Sequence, residues 1–192
     1  MIPWSYQVML LILVIVAAGF DIRYRRIPNW LVFGGTLYGL AYNAISPLYP
    51  HDIGILFALK GMAIGLAALL PAYLFRVMRA GDVKLMAMVG AFLGTWATVG
   101  AVLATFVAGG VLAIALAVWS GGLGRMLRHV AATSRGAVLT VATGMTGWMV
   151  HDAPSAGKMP YGIAIAVGTI AYLVLSQLGF IGGVFGYVGS TW

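Results

Sequence analysis

The chain holds four acidic residues, Asp21, Asp52, Asp82 and Asp152, and no glutamate. Two of them stand where an apolar run meets a cluster of basic charge: Asp21 in "FDIRYRR" and Asp82 in "RAGDVKL". Two carboxylates brought together at a site of low dielectric do not both ionise easily, and one proton is shared between them. That state suits peptide hydrolysis, in which one carboxylate activates water while the other, protonated, polarises the scissile carbonyl. Plainer roles are open to both residues. Asp82 suits a helix N-cap, where the helix dipole favours a carboxylate, and Asp21 suits an ion pair with the adjacent arginines. Asp52 and Asp152, in the proline-containing stretches "PHDIG" and "HDAPS", read as cap or turn residues.

Other chemistries fail on inventory. Cysteine is absent, which removes disulfides, thiolate metal sites and a cysteine nucleophile together. A zinc protease of the H-E-x-x-H type needs a glutamate between two histidines, and His51, His129 and His151 show no ligand spacing. No metal and no cofactor is therefore expected. None of the seven serines lies on a strained turn with a histidine partner, and the glycines sit within apolar runs rather than in a phosphate-cradling loop.

The elements that must position the two aspartates follow from hydropathy. The chain has 192 residues, 62% of them hydrophobic and 8% charged, against about 25% charged in a soluble domain. Crossing a hydrocarbon core of ~30 Å takes roughly 20 helical residues. Apolar runs of suitable length predict helices over 4–20, 30–45, 53–75, 85–98, 100–121 and 160–180. The fold class expected is all-α: a polytopic membrane protein of about six transmembrane helices, in one domain over residues 1–192. The uncharged stretch from Leu85 to Leu123 supplies two of these helices, folded back near Gly94–Gly100. The segment 124–150 reads as interfacial, with its threonine-rich part from Gly136 to Val150 interfacial or re-entrant. Three small-residue pairs, Gly35 with Gly39, Gly61 with Gly65 and Gly90 with Gly94, fit the spacing that lets membrane helices approach closely.

Basic residues orient the bundle. Arg23, Arg25 and Arg26 follow the first run; Arg76, Arg79 and Lys84 follow the third; Arg125, Arg128, Arg135 and Lys158 follow the fifth. Ten of the eleven basic residues thus fall on one face, and the positive-inside rule makes that face cytoplasmic. Lys60 is the exception, within the third run. The N-terminus lies on the non-cytoplasmic side of the cell inner membrane, and the first run is not a cleavable signal peptide, since no basic segment precedes it. The net charge of +7 is then a topology signal, and no nucleic-acid partner is expected. Membrane lipids are, with "GRMLRHVAATSR" (Gly124–Arg135) lying against anionic headgroups. This topology puts Asp21 and Asp82 at one depth, at the cytoplasmic boundary.

Three motifs carry a family resemblance. "DIRYRRIPNW" (Asp21–Trp30) resembles the first aspartate motif of type IV prepilin peptidases, membrane aspartic proteases of the GxGD class, in which basic residues and Ile-Pro-Asn follow the aspartate. "AGDVKL" (Ala80–Leu85) resembles their second aspartate motif, Gly-x-Gly-Asp-x-Lys-Leu, with Arg79 standing where the pattern has its first glycine. "MPYGIAIAVG" (Met159–Gly168) resembles the Pro-Tyr-Gly segment opening the last helix. The resemblance implies that Asp21 and Asp82 form the catalytic dyad. The matching motif residues Pro28, Asn29, Gly81, Lys84, Pro160, Tyr161 and Gly162 support it. Gly81 lets the backbone pass close to substrate, and Lys84 tunes Asp82 or makes a helix contact. It implies prepilin or pseudopilin precursors as substrates, losing their short basic leader at the cytoplasmic boundary. The large bifunctional members also methylate the new N-terminus, using a region with paired Cys-x-x-Cys motifs. A chain without cysteine that starts at the first helix is expected to resemble the short peptidase-only branch. Two alternatives stay open: a peptidase of the archaellin-precursor type, and a non-enzymatic transporter or scaffold whose aspartates are relay or structural groups.

Overall fold

A computed structural model describes residues 4–45, 54–74, 78–119 and 161–179. Among them are six helices: α1 (Trp4–Tyr24), α2 (Asn29–Ile45), α3 (Gly54–Leu74), α4 (Ala80–Leu93), α5 (Thr95–Trp119) and α6 (Tyr161–Gln177). The expected all-helical class is what the described residues show. Three helices are long and apolar enough to cross a membrane, α1, α3 and α5 as far as Leu116, and α6 is apolar but shorter. The segment 124–150, Pro160, Asp52, Asp152 and the three histidines lie outside the described residues.

The chain divides into two compact units, one of residues 1–109 with 160–192 and the other of residues 110–159. In the second, the last turns of α5 present Val111, Ile114, Val118 and Trp119 outward. The first unit is built around α4. Its fourteen residues give a rod of about 21 Å at the helical rise, and every residue from Leu85 to Leu93 is buried. It packs most extensively on α3 and also on α2, α6 and α1.

Small residues make that burial possible. Lipid tails are as apolar as leucine, so helices in a bilayer associate through close packing rather than by escaping water. Gly61 of α3 and Gly90 of α4 face each other so closely that a Cβ on either would overlap the other's carbonyl oxygen, and a Cβ on Gly65 would overlap that of Met86. Gly35 and Gly39 of α2 pack against the side chains of Met88 and Phe92, the second at 3.1 Å from its would-be Cβ. All three glycine pairs found in the sequence are thus at helix contacts.

The fourth helix is displaced from the expected 85–98. It begins at Ala80 and ends at Leu93, because Gly94 takes φ 75°, a left-handed conformation that costs glycine no Cβ clash. The Gly94 N–H still reaches the Gly90 carbonyl (2.9 Å), and α5 starts at the next residue. At the same end, Tyr6 of α1 stacks on Tyr42 and Phe92. Beside it the buried Asn43 amide donates to the Tyr6 hydroxyl (2.7 Å) and to the carbonyls of Gly39 (2.8 Å) and Ala91 (3.3 Å).

Candidate active site

The opposite end of α1 carries Asp21. The helix runs past it to Tyr24, and the Arg25 N–H donates to the Asp21 carbonyl (2.9 Å). Arg25 then turns left-handed, with φ 51°, at a cost of about 1–2 kcal/mol for a residue with a Cβ. This stops α1 and lets the chain turn through Ile27 to Pro28. The Pro28 carbonyl accepts from the Val32 N–H (3.4 Å) and so opens α2, at a position where a proline's missing N–H costs nothing.

At the start of α4, Arg79 is the N-cap, with extended backbone (φ −91°, ψ 156°). Asp82 is therefore the third residue of the helix, not its N-cap. Its Oδ2 accepts from the Arg79 N–H (3.1 Å) while its own N–H donates to the Arg79 carbonyl (3.1 Å), the carboxylate half of a capping box.

Both carboxyl groups are 2% exposed. Asp82 stands in the first turn of α4, ahead of the apolar stretch that opens at Leu85, and its carboxyl is pushed up from 3.8 to about 6. Burial, which disfavours the charged form, is the main cause; the Asp21 carboxyl adds to it, while the Arg79 N–H and guanidinium oppose it. Asp21 Oδ2 accepts from the Gly162 N–H (2.9 Å), an N–H in the first turn of α6 that no helical carbonyl can satisfy. Asp21 Oδ1 faces Arg79 Nη1 at 3.7 Å. This ion pair is with the opposite helix rather than with an arginine of the aspartate's own segment. Arg79 Nη1 also donates to the Arg25 carbonyl. One arginine therefore ties the end of α1 to the start of α4 while touching both aspartates.

The two carboxyl groups line one cavity of about 280 Å³, with Arg25, Arg26, Arg79 and Lys84 also at its wall. Gly81 and Asn29 line it too, and a Cβ on Gly81 would meet Ile27 at 3.4 Å, an ordinary contact. Lys84 makes the helix contact: its Nζ donates to Asn29 Oδ1 (3.3 Å) and lies 5.4 Å from the centre of the Phe33 ring. Tyr161, half-buried, is near enough to Asp82 to feel its charge. Gly162 is packed so tightly on Asp21 that a Cβ would lie 2.8 Å from Oδ2. Among the described residues no three histidine or aspartate side chains converge as a metal site. The three motifs are thus brought to one place. Two features escaped the sequence reading: the reach of Arg79 across to Asp21, and the direct seat of Gly162 against the same carboxyl. A long cation in a slot of the pattern otherwise given to glycine was the one available signal for the first.

A bundle of apolar helices with two buried carboxyl groups at one end defines a membrane-protein class, and family comparison places the chain within it. The family model of the type IV leader peptidase family matches residues 8–114, more than half of the chain and inclusive of both aspartates. The chain belongs to that family, which makes it a membrane protein of a protease lineage. No curated protein and no solved structure gave a significant match.

Proposed function

We propose that this protein is an aspartic-type endopeptidase of the cytoplasmic membrane that removes the short basic leader of prepilin or pseudopilin precursors. The observation that carries the reading is the pairing itself: two buried carboxyl groups, from helices far apart in sequence, open into one cavity. The proposal is for cleavage alone.

In this reading Asp82, whose burial favours the protonated form, donates its proton to the scissile carbonyl oxygen. Asp21 takes a proton from the attacking water, whose oxygen bonds to the carbonyl carbon. The tetrahedral intermediate then collapses. Its hydroxyl proton returns to Asp82, the C–N bond breaks, and the proton held by Asp21 goes to the leaving nitrogen. The Gly162 N–H and the Arg79 guanidinium hold Asp21 in place throughout. The basic residues flanking the site support a cytoplasmic placement, where the aqueous leader of a precursor meets its membrane-embedded hydrophobic segment.

The test is co-expression with a prepilin, comparing wild type with Asp21→Asn and Asp82→Asn by the size shift of the processed product. Both variants are expected to leave the precursor uncleaved, while Asp52→Asn and Asp152→Asn process it normally. Leader removal that persists in either Asp21→Asn or Asp82→Asn would overturn the assignment.

A further inference from the structure

We propose that Arg79 is a positioning residue for this pair of carboxyl groups, fixing their separation and holding the negative charge of the pair on Asp21. The inference rests on the reading of Asp21 and Asp82 as the reacting acids. It accounts for an arginine where the aspartate motif otherwise has glycine.

The contacts are divided between the main chain of Arg79 and its side chain. Its main-chain N–H holds Asp82 Oδ2 at 3.1 Å. Its guanidinium faces Asp21 Oδ1 at 3.7 Å and donates to the Arg25 carbonyl. Both contacts run to one nitrogen, Nη1; a guanidinium is more weakly hydrated than an ammonium and so is held between two acceptors at lower cost. The second acceptor is itself fixed at a cost, since Arg25 holds a left-handed backbone. The clamp therefore spans the two segments that carry the acids, the end of α1 and the start of α4.

The charge argument leads to the same conclusion. Two like acids in one buried site share a proton, and an asymmetrically placed cation decides which of them keeps it. Among the described residues the charged and titratable groups around the pair are Arg25 and Arg26 after α1, Arg79 and Lys84 at the start of α4, and Tyr161 from α6. Lys84 is engaged with Asn29 and Phe33. Among the described residues the ion pair to either acid is that of Arg79 with Asp21. Its side chain is 40% exposed, so solvent screens part of the attraction.

The experiment uses the whole protein in detergent with a prepilin, together with Arg79→Gln and Arg79→Lys. Two quantities are followed: the pH profile of kcat/KM, and titration of the protonated-carboxyl stretch in the infrared, assigned with Asp21→Asn and Asp82→Asn. Arg79→Gln should move the infrared midpoint of Asp82 and the alkaline limb of the profile upward, because the guanidinium holds that carboxyl down, and lower kcat about tenfold with little change in KM. Arg79→Lys should keep the midpoint near wild type and recover only part of kcat. Unmoved midpoints in Arg79→Gln overturn the proposal, and if that variant does not fold, wild-type kcat in Arg79→Lys does so. Failure of the underlying reading looks different: the wild type then leaves prepilin uncleaved, while the infrared titration still reports whether Arg79 governs the two carboxyl groups.

Discussion

Gly162 and Asp21 are in direct contact: the glycine's N–H donates to Oδ2 at 2.9 Å, and the space where a Cβ would stand is filled by the carboxyl group. A Cβ there would lie 2.8 Å from Oδ2 and 2.9 Å from the Asp21 Cβ. The second of these atoms is not a free end that can swing aside. Gly162→Ala is therefore expected to displace the Asp21 carboxyl while leaving α6 helical, since alanine is the better helix former by about 1 kcal/mol. Leader cleavage should fall about 100-fold, the scale on which a misplacement of roughly 1 Å acts on catalysis. The melting midpoint should change by no more than a few degrees. Cleavage at the wild-type rate in Gly162→Ala would show that Asp21 does not need this seat.

The raised carboxyl of Asp82 makes a prediction whose sign can be worked out. With its folded value at about 6 and its ordinary value at 3.8, the folded protein retains at Asp82 a proton that the unfolded chain has released between those limits. The unfolded chain thus binds fewer protons there, and stability falls as pH rises through that window. Its contribution is fully present below 3.8 and gone above about 6. Asp82→Asn cannot titrate, so the difference in melting midpoint between wild type and this variant should change against the wild type from pH 4 to about pH 6 and level off above it. If Asp82 is the proton donor, kcat/KM of the wild type should also decline above about pH 6. A difference that stays flat across this range would contradict the burial-driven shift.

Much of this was legible in the sequence because a bilayer leaves few choices. A spanning segment needs an unbroken apolar run, so the helices could be read from hydropathy, and acids as scarce as these stood out against it. What hydropathy could not convey was which helix lies inside. Leu85–Leu93 and Val111–Trp119 are equally apolar, yet α4 is buried on all sides while the end of α5 is exposed; lipid and protein interior ask for the same side chains. The fold-back expected near Gly94–Gly100 is there, at Gly94, but its exact residue was not legible within a stretch that no charge interrupts. At the site, Asp21 and Asp82 were found by elimination and motif. The clamp of Arg79 was not, because its partners lie in another segment, and only the packing of α1 beside α4 brings them within reach.

At the far end of the first unit, Asn43 offers a test of structure separated from chemistry. Tyr6 lies about 22 Å from Asp21 along α1 at the helical rise, and Asn43 joins it to Gly39 and Ala91. Removing a buried hydrogen-bonding group costs about 1–3 kcal/mol when its partners are left behind. Asn43→Ala should lower stability by an amount in that range, read as a fall in the melting midpoint of about 2–4 °C per kcal/mol, without moving the pH profile of cleavage. A shifted profile would mean that this network communicates with the carboxyl groups.

The glycine contact between α3 and α4 sets how closely the helix carrying Asp82 approaches its neighbours. At Gly90 an added Cβ would overlap the Gly61 carbonyl oxygen and lie 2.6 Å from its carbon, and one at Gly61 would overlap the Gly90 carbonyl oxygen and lie 2.7 Å from the Gly94 Cα. Both obstacles are backbone, which cannot rotate away, so relief requires the helices to separate and lose contacts along their length. Overpacking costs of about 3 kcal/mol are the expected scale. Gly34 provides the comparison, because nothing lies within 4 Å of its would-be Cβ, and alanine there should be neutral or slightly stabilising through helix propensity. Gly90→Ala is thus expected to melt well below wild type, with Gly34→Ala at or above it. Gly61→Ala combined with Gly90→Ala should cost less than the sum of the two single variants, since a gap opened by one already accommodates the other. Equal melting midpoints for Gly34→Ala and Gly90→Ala would show that α3 and α4 are not held at this distance.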